Sequence, residues 1–349
     1  TSLKTIGLNF GRMFARLLPA LVTVGIAITA LVLAWPQLFG VARAPVVAQI
    51  VALRGLGIVV ALVLVVAFTL FALLAPAARS FLASLAVVLL AFCAINAAVL
   101  ATRGFGNMGF ETANDATVTV LSWNTLGDAP GSAVIAELAL ESGADVVALP
   151  ETTRATGEEV AALMAEAGHP MQVLTVAYDE VSKARSTTLL IGNDLGDYDV
   201  DDTVPTTAQL PSVVATPADG SGPTIIAVHT LAPIPPMMAA WESDLRWAAS
   251  ACSGDNVIMA GDFNATLDHF GGLLHAEGAT LGNCADAALA TDNAAVGTWP
   301  TMLPALIGAP IDHVLATPNW RVSGMRVIAS HDGYGSDHRP ILVQLSPAG

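Results

Sequence analysis

The stretch NVIMAGDFNAT, residues 256–266, joins an apolar run to a group of polar residues. Side chains alternate along an extended chain, so Asp262 and Asn264 lie on the same face and point at one spot. A simple turn is the alternative, because Gly, Asp and Asn are common turn residues. The stretch therefore predicts a buried strand that ends on a polar pair, and the rest of the chain must show what the pair holds.

Charge and hydropathy divide the chain into two parts. Hydrophobic residues make up 54% of the 349 residues and charged residues only 12%, which is unusual for a soluble protein. Residues 1–113 carry seven basic residues and one acid, a net charge of +6. The remainder carries seven basic and 28 acidic residues, a net charge of −21. This composition predicts a membrane part followed by an acidic domain.

Three uncharged apolar runs occupy residues 17–35, 55–75 and 81–101. Each has about the length needed to cross ~30 Å of hydrocarbon, so we predict three transmembrane helices. A signal peptide or a buried core helix is the alternative, but three runs with basic residues between them disfavour both. Asn96 is the strongly polar side chain of the third run, and we expect it to bond a neighbouring helix.

The runs define the predicted domains. Residues 1–103 form a three-helix transmembrane region, residues 104–115 a short tether, and residues 116–349 an acidic domain that stays close to the membrane. The positive-inside rule favours a cytoplasmic N-terminus by four basic residues to three. With three crossings, we expect a multi-pass cell-membrane protein whose acidic domain is extracytoplasmic.

Cysteine content agrees with that compartment. Cys252 and Cys284 fall in the acidic domain and are a candidate disulfide pair in an oxidising environment. Sequence alone does not show whether their Cα atoms come within bonding range.

The acidic part alternates predicted strands with helices, which is typical of an α/β domain. Its strands carry carboxylate, amide and imidazole side chains at their ends, namely Asn124, Glu151, His229, Asp262, Asn264, Asp312, Asp337 and His338. Such oxygen-rich donors suit Mg²⁺ or Mn²⁺ better than zinc. A hard cation beside a carboxylate or imidazole that activates water points to phosphoester hydrolysis.

Each of these residues also has a structural alternative. Asn124 could cap the helix that follows it, and Glu151 could stabilise the start of its helix. Asp312 and Asp337 could be turn residues, and His229 could be a buried core histidine. The remaining histidines receive no functional role: His169, His269, His275, His313 and His331.

Six short motifs together resemble the endonuclease/exonuclease/phosphatase superfamily. They are SWN at 122–124, PE at 150–151, VHT at 228–230, GDFN at 261–264, IDH at 311–313 and SDHRP at 336–340. Each motif is weak alone, but their order across residues 116–346 is specific. The resemblance implies a four-layer α/β/β/α sandwich, with the site at one end of two β-sheets and three transmembrane helices before it.

The resemblance also implies metal ligands. Glu151 would be the principal ligand of the cation, with Asn124 and Asp337 close by in the metal and phosphate site.

The remaining motif residues would act on substrate and water. Asp262 would orient or deprotonate the attacking water, and Asn264 would hold that water or the phosphate. His338 would contact a phosphate oxygen while Asp312 holds its ring. His229 matches a histidine that phosphodiesterase-like members use as a second phosphate contact or general acid.

Fold alone does not choose the substrate, since members of this superfamily cleave DNA, RNA, inositol phosphates, sphingomyelin and other lipids. A domain at −21 lacks the basic surface that nucleic acid requires, which ranks a membrane-tethered nuclease second. A non-catalytic sensor of a phosphorylated ligand is the third hypothesis.

Two apolar segments favour a lipid. Residues 231–241 follow His229, and residues 298–310 precede Asp312. We expect Trp241 and Trp299 in these segments to face lipid at the headgroup level, with ordinary core packing as the alternative.

The whole layout resembles the VanJ/StaP-type proteins of actinobacteria, which are associated with teicoplanin resistance. That resemblance implies action on a phosphorylated envelope lipid such as a polyprenyl phosphate or diphosphate. The expected partners are the lipid bilayer and this phosphorylated lipid. The sequence indicates no protein partner.

Overall fold

The computed structural model describes residues 2–106, 109–179 and 181–348, and residues 2–16 as backbone only. Its first part is helical and consists of α1 (Ser2–Ala34), α2 (Val47–Ala52), α3 (Arg54–Leu74) and α4 (Arg79–Arg103). Within the described residues, three segments are long and apolar enough to cross a membrane: Leu17–Ala34, Arg54–Leu74 and Pro76–Arg103. Helices α1 and α3 both pack against α4. The predicted spans are therefore helices, with bounds close to those expected.

The second part contains two mixed sheets and their helices. The strands are β1 (Val118–Ser122), β2 (Val146–Pro150), β3 (Met171–Ala177), β4 (Ser186–Gly192), β5 (Tyr198–Val200), β6 (Val213–Pro217), β7 (Thr224–His229), β8 (Val257–Asp262), β9 (Ala285–Asp286), β10 (Asp312–Ala316), β11 (Trp320–Val327) and β12 (Ile341–Pro347). The helices are α5 (Ser132–Ser142), α6 (Arg154–Glu166), α7 (Met238–Ala251) and α8 (Ala287–Ala290). The first sheet has the order β11-β12-β1-β2-β4-β3, and the second β5-β6-β7-β8-β10-β9.

Apolar side chains on both faces of the strands produce the layers. In β1, Val118 and Val120 join the core between the two sheets, whereas Leu121 packs with Ile135 of α5 on the outer face. Helix α7 covers the outer face of the second sheet through Leu245 and its neighbours. Strands covered on both faces are apolar along their whole length, as observed here. The predicted four-layer α/β/β/α sandwich is confirmed.

A buried charge cluster joins the helical part to the sandwich; we call Arg54, Asn96, Arg103 and Asp268 the junction cluster. Arg54 donates from Nη2 and Nε to the two carboxylate oxygens of Asp268, at 2.7 and 3.0 Å. Arg103 donates to the same carboxylate at 2.8 Å. Arg54 also donates to Asn96 Oδ1 at 2.5 Å, so Asn96 bonds a neighbouring helix as expected.

Electrostatics at the junction cluster favour the charged form of its acid. Burial alone would raise the pKa of Asp268, but hydrogen bonds and charges from Arg54 and Arg103 outweigh it and hold that pKa below its usual range. A buried carboxylate paired with two guanidinium groups satisfies charges that would otherwise be costly to desolvate.

The segment after α4 lies against the sandwich. Gly106 N–H donates to Asp292 O, and Glu111 N–H donates to Ser323 O. Gly104 has φ +77°, and a Cβ there would meet the Asp292 backbone oxygen at 2.3 Å, so this close approach requires glycine. The described residues of the predicted tether are thus hydrogen-bonded to the sandwich at Gly106 and Glu111, although most of them are exposed. The bounds of the tether stay a prediction.

Cys252, just after α7, forms a disulfide with Cys284, just before β9. Both cysteines are buried, and their Cα atoms are 6.0 Å apart.

Candidate active site

One row of polar side chains crosses the second sheet where its strands end. Asp262 of β8 is level with His229 on the parallel strand β7 and with Asp312 on the antiparallel strand β10. All three are buried. Two residues along each strand, the same face carries the inter-sheet core residues Ala227, Ala260 and Val314. Strand alternation therefore aims the three polar groups into the space between the sheets.

The first sheet contributes Asn124 and Glu151. The Asn124 side-chain amide donates to Glu151 Oε1 at 3.1 Å and to Asp262 Oδ2 at 3.0 Å. Neither residue caps a helix, because α5 has Gly131 at its N-cap and α6 has Thr153. The site thus lies at the carboxyl ends of two parallel strand pairs, where both sheets meet.

Asp262 and Asn264 meet through a turn. Strand β8 ends at Asp262, and Asn264 has φ 44°, in the left-handed region that Asn tolerates. Asn264 N–H donates to Asp262 Oδ1 at 2.8 Å, and its side-chain amide donates to Asp262 Oδ2 at 3.2 Å. The same amide donates to Thr230 O at 2.9 Å. The prediction of an extended chain through Asn264 was wrong, although the two side chains do converge.

His338 lies between two carboxylates. Its Nδ1 pairs with Asp312 Oδ2 at 2.9 Å, and its Nε2 lies 3.7 Å from Asp262 Oδ2. Burial would lower the pKa of His338, but the charges of Asp312 and Asp262 dominate and raise it to about 10. The Trp123 indole donates to His338 O at 2.8 Å and holds the backbone. The carboxylate–imidazole pair fixes the orientation of the ring.

Burial also shifts the other titratable groups. It raises the pKa of Asp262 to about 7 and raises that of Glu151. It lowers the pKa of His229 to about 3, so this imidazole is neutral near pH 7. His229 Nε2 lies 3.8 Å from Glu151 Oε1. Several carboxylates thus share a largely buried site in which a cation would be stabilising.

The donor set fits a hard divalent cation. Ligand atoms of Asp262, Asp312 and His338 all lie within 4.8 Å of one another. Among the described residues, Asp312 Oδ1 and Asp337 Oδ1 are buried without a hydrogen-bond partner. Carboxylate oxygens are the ligands that Mg²⁺ and Mn²⁺ prefer.

The cluster of Asp262, Asp312 and His338 differs from the metal ligands expected from the sequence. Those expected ligands are Glu151, Asn124 and Asp337. Asn124 links the two sets, because its amide bonds a carboxylate of each. His338 reaches Asp312 through Nδ1, which leaves only Nε2 free for another ligand. The close approach of that triad is therefore also explained by an imidazolium held between two acids.

Asp337 is tied to the loop before β10. The Trp299 indole donates to Asp337 Oδ2 at 2.9 Å, and Thr301 N–H donates to Asp337 O at 2.9 Å. Arg339, buried beneath this loop, donates to Leu303 O at 2.7 Å. Trp299 is half-buried and faces the site through its N–H, a contact that the sequence did not indicate. Arg339 stands in the SDHRP motif, which is the signal that could have identified it.

Trp241 corrects one expectation. Its side chain is fully buried, and its indole donates to Asn264 O at 3.1 Å. Helix α7 begins at Met238, so helical periodicity turns Trp241 inward with Leu245. Trp241 therefore supports the backbone of Asn264 and does not face lipid.

Two further histidines are structural. His313 points to the opposite face of β10 from Asp312, where Nδ1 pairs with Asp286 Oδ2 at 2.7 Å. His269 accepts from Thr266 N–H at Nδ1, and its Nε2 contacts Ala48 O of α2 at 3.2 Å. The sequence assigned neither a role, and both are buried.

A family model described as the Endonuclease/Exonuclease/phosphatase family matches residues 121–338. The chain belongs to this family. Its members are phosphoesterase-type hydrolases that use divalent metals. No match is found among curated protein sequences.

Solved structures share the fold. A humanized D. rerio TDP2 is 18% identical with a TM-score of 0.51, covering 66% of this chain and 99% of that chain. A family protein from Beutenbergia cavernae is 18% identical with a TM-score of 0.50, and the match covers 67% of this chain and 72% of that chain. A mannosyl-6-phosphatase from Bacteroides thetaiotaomicron is 17% identical with a TM-score of 0.48, and the match covers 65% of this chain and 99% of that chain. At these identities the first two structures establish the fold alone.

Proposed function

We propose that the protein is a membrane-anchored hydrolase of phosphoester or phosphoanhydride bonds that depends on Mg²⁺ or Mn²⁺. Its substrate is a lipid-linked phosphate at the outer face of the bacterial membrane. The observation that carries this proposal is the convergence of Glu151, Asp262 and His338, from both sheets, in one buried site of a family of phosphoesterases.

The roles follow from the contacts. Asp262 accepts a proton from the attacking water, and Asn264, bonded to Asp262, fixes the position of that water or of a phosphoryl oxygen. His338 offers Nε2 to a phosphoryl oxygen while Asp312 holds Nδ1. Neutral His229 provides a second polar contact beside Glu151.

Glu151, with Asn124 and Asp337, would hold the divalent cation. When bound, that cation stabilises the charge that develops on the phosphoryl oxygens.

Surface character supports a lipid substrate over nucleic acid. The domain after residue 113 carries a net charge of −21, which opposes a phosphate backbone. Exposed apolar side chains lie beside the junction between helices and sandwich, namely Trp35, Leu38, Phe39, Met302 and Leu306. Exposed apolar groups next to candidate spans are typical of proteins that rest on a bilayer.

The proposed compartment is the outer face, as in the VanJ/StaP-type layout. Support comes from the Cys252–Cys284 disulfide, since such bonds persist in oxidising compartments. A periplasmic-type reporter fused after residue 349 should be active in cells. Activity only of a cytoplasmic reporter would contradict this topology.

A substrate screen tests the function. The purified full chain in lipid nanodiscs would be assayed with Mg²⁺ against phospholipids, polyprenyl phosphates, plasmid DNA and RNA, with Glu151→Gln as the control. We expect turnover of a lipid phosphate that the variant lacks. Turnover of nucleic acid alone would favour the nuclease hypothesis, and binding of a phosphorylated lipid without turnover would favour a sensor.

A further inference from the structure

An apolar groove of about 630 Å³ runs along the helical part. Its walls are Ile26 to Leu33 of α1 and Leu56 to Leu64 of α3, and Leu89 and Phe92 of α4 form its floor. Because α1 and α3 both pack on α4, the space between them stays open to the side. At ~1.5 Å per residue, the side of the groove from Leu53, immediately before α3, to Leu64 of α3 is about 17 Å long.

That length corresponds to about half of a ~30 Å hydrocarbon core. The groove begins at the end of the spans that faces the sandwich, since α2 and the first turns of α3 close its upper end. It therefore lies in the leaflet on the side of the catalytic domain. All but two of its lining residues, Thr29 and Gln49, are apolar, so the complementary occupant at this depth is a hydrocarbon chain.

The upper end of the groove contacts a loop of the active site. Gln49 donates from Nε2 to Pro233 O and lies 3.4 Å from Met238 Sδ. Its Oε1 is buried without a hydrogen-bond partner among the described residues. Three residues before Pro233, Thr230 accepts the hydrogen bond from Asn264. At most about 11 Å of chain separates those two loop positions.

A second loop, residues 298–310, also connects the helical part to the active site. Gly55, at the start of α3, lies so close to this loop that an added Cβ would overlap the backbone of Leu306 and Ile307. The same loop carries Trp299, which bonds Asp337 in the site. Both loops that flank the site therefore rest on α2 and the start of α3, which form the upper end of the groove.

We infer that the groove between α1 and α3 binds one hydrocarbon chain of the lipid phosphate substrate. This inference rests on the proposed function and adds a chain-binding site to it. The chain lies in the leaflet next to the sandwich, and the two loops lead from its end towards the phosphoryl site. The protein thus selects its substrate by chain as well as by phosphate.

Two glycines provide a matched pair of variants. Gly57 lines the groove, and a Cβ there would sit 3.7 Å from the Phe92 ring, an ordinary contact. Gly25 lies on α1 outside the groove lining, with nothing within 4 Å of an added Cβ. Gly57→Leu fills the groove and Gly25→Leu does not, while both replace a helix glycine with a good helix former.

The first experiment compares two diesters in nanodiscs, dodecyl p-nitrophenyl phosphate and methyl p-nitrophenyl phosphate. We expect Gly57→Leu to lower kcat/KM about tenfold for the dodecyl ester, through KM, and to leave the methyl ester unchanged. Gly25→Leu should match the wild type on both. Equal kinetics of the wild type and Gly57→Leu on the dodecyl ester would overturn the inference.

A binding measurement separates this inference from the proposed function. Dodecyl phosphate with a terminal diazirine should label α1 and α3 peptides of the wild type and of Gly25→Leu, and several-fold less those of Gly57→Leu. Equal labelling of all three proteins would contradict the inference that the groove binds a hydrocarbon chain. Selective labelling in a protein that hydrolyses no lipid phosphate would support the groove and contradict the proposed function.

Discussion

The Asn124 side-chain amide bridges the two sheets: it donates to Asp262 Oδ2 over 3.0 Å, from the end of β1 to the end of β8. The same amide donates to Glu151 Oε1 at 3.1 Å. One neutral group thus holds a carboxylate from each sheet at a fixed separation, in a site where burial raises the pKa of both acids.

Removing this bridge should impair catalysis more than folding. Asn124→Ala is expected to lower kcat/KM for methyl p-nitrophenyl phosphate about 10- to 100-fold, because the two carboxylates lose their common orienting donor. Asn193→Ala, at an exposed position after β4, is the control and should match the wild type. Wild-type kinetics in Asn124→Ala would show that the bridge has no catalytic role.

Strand β10 contributes one residue to each of two buried aspartate–histidine pairs. Substitutions in the two pairs should affect different properties, one catalysis and the other stability. Asp312→Asn is expected to lower kcat about 10- to 100-fold, because it removes the charge that positions His338. Asp286→Asn removes the same charge from His313 on the opposite face and should cost about 3 kcal/mol of unfolding free energy.

Steady-state kinetics and thermal unfolding of both variants check this contrast. Asp286→Asn should keep a kcat close to that of the wild type under conditions where it is folded. An equal loss of kcat in the two variants would contradict the assignment of one pair to catalysis and the other to structure.

The junction cluster should make stability depend on pH. The folded-state pKa of Asp268 lies below its unfolded value of about 3.9. Its carboxylate therefore adds stability above that pH, and the contribution is lost as pH falls through the folded-state pKa. Asp268→Asn should cost about 3 kcal/mol at neutral pH, because two buried guanidinium groups lose their partner.

Thermal unfolding in detergent at about pH 7 and about pH 3 measures this contribution. The difference in Tm between the wild type and Asp268→Asn should be large at neutral pH and should narrow in acid. Asp255→Asn, at an exposed site, should show no difference at either pH. A Tm difference of the same size at both pH values would mean that the charge of the Asp268 carboxylate contributes nothing to stability.

The sequence predicted the elements whose pattern is local. Apolar strands that end on a polar side chain, such as the one ending at Asp262, were recognised because period-two alternation and a polar terminus coincide. The structure brings these strand ends together because parallel neighbours in each sheet finish at one edge. The sequence did not predict strands β3, β5, β6 and β9, of which β5 and β9 have only three and two residues.

Features that depend on distant contacts were beyond the sequence pattern. Asp268 looks like an ordinary turn residue, and its partner Arg54 is 214 positions away. Trp241 lies in an apolar, proline-containing stretch, and the inward direction of its indole could not be inferred from that composition. The left-handed backbone at Asn264 likewise follows from its bond to Asp262 rather than from strand alternation.

The most direct test of the central claim is metal dependence at the converged site. Hydrolysis of methyl p-nitrophenyl phosphate would be measured with Mg²⁺ or Mn²⁺, after EDTA, and after the cation is restored. We expect activity to be lost in EDTA and to return with the cation. Glu151→Gln should lose about 3 kcal/mol of transition-state stabilisation, a factor of more than a hundred, while the exposed control Glu159→Gln should not. Full activity in EDTA, or wild-type activity in Glu151→Gln, would contradict the account.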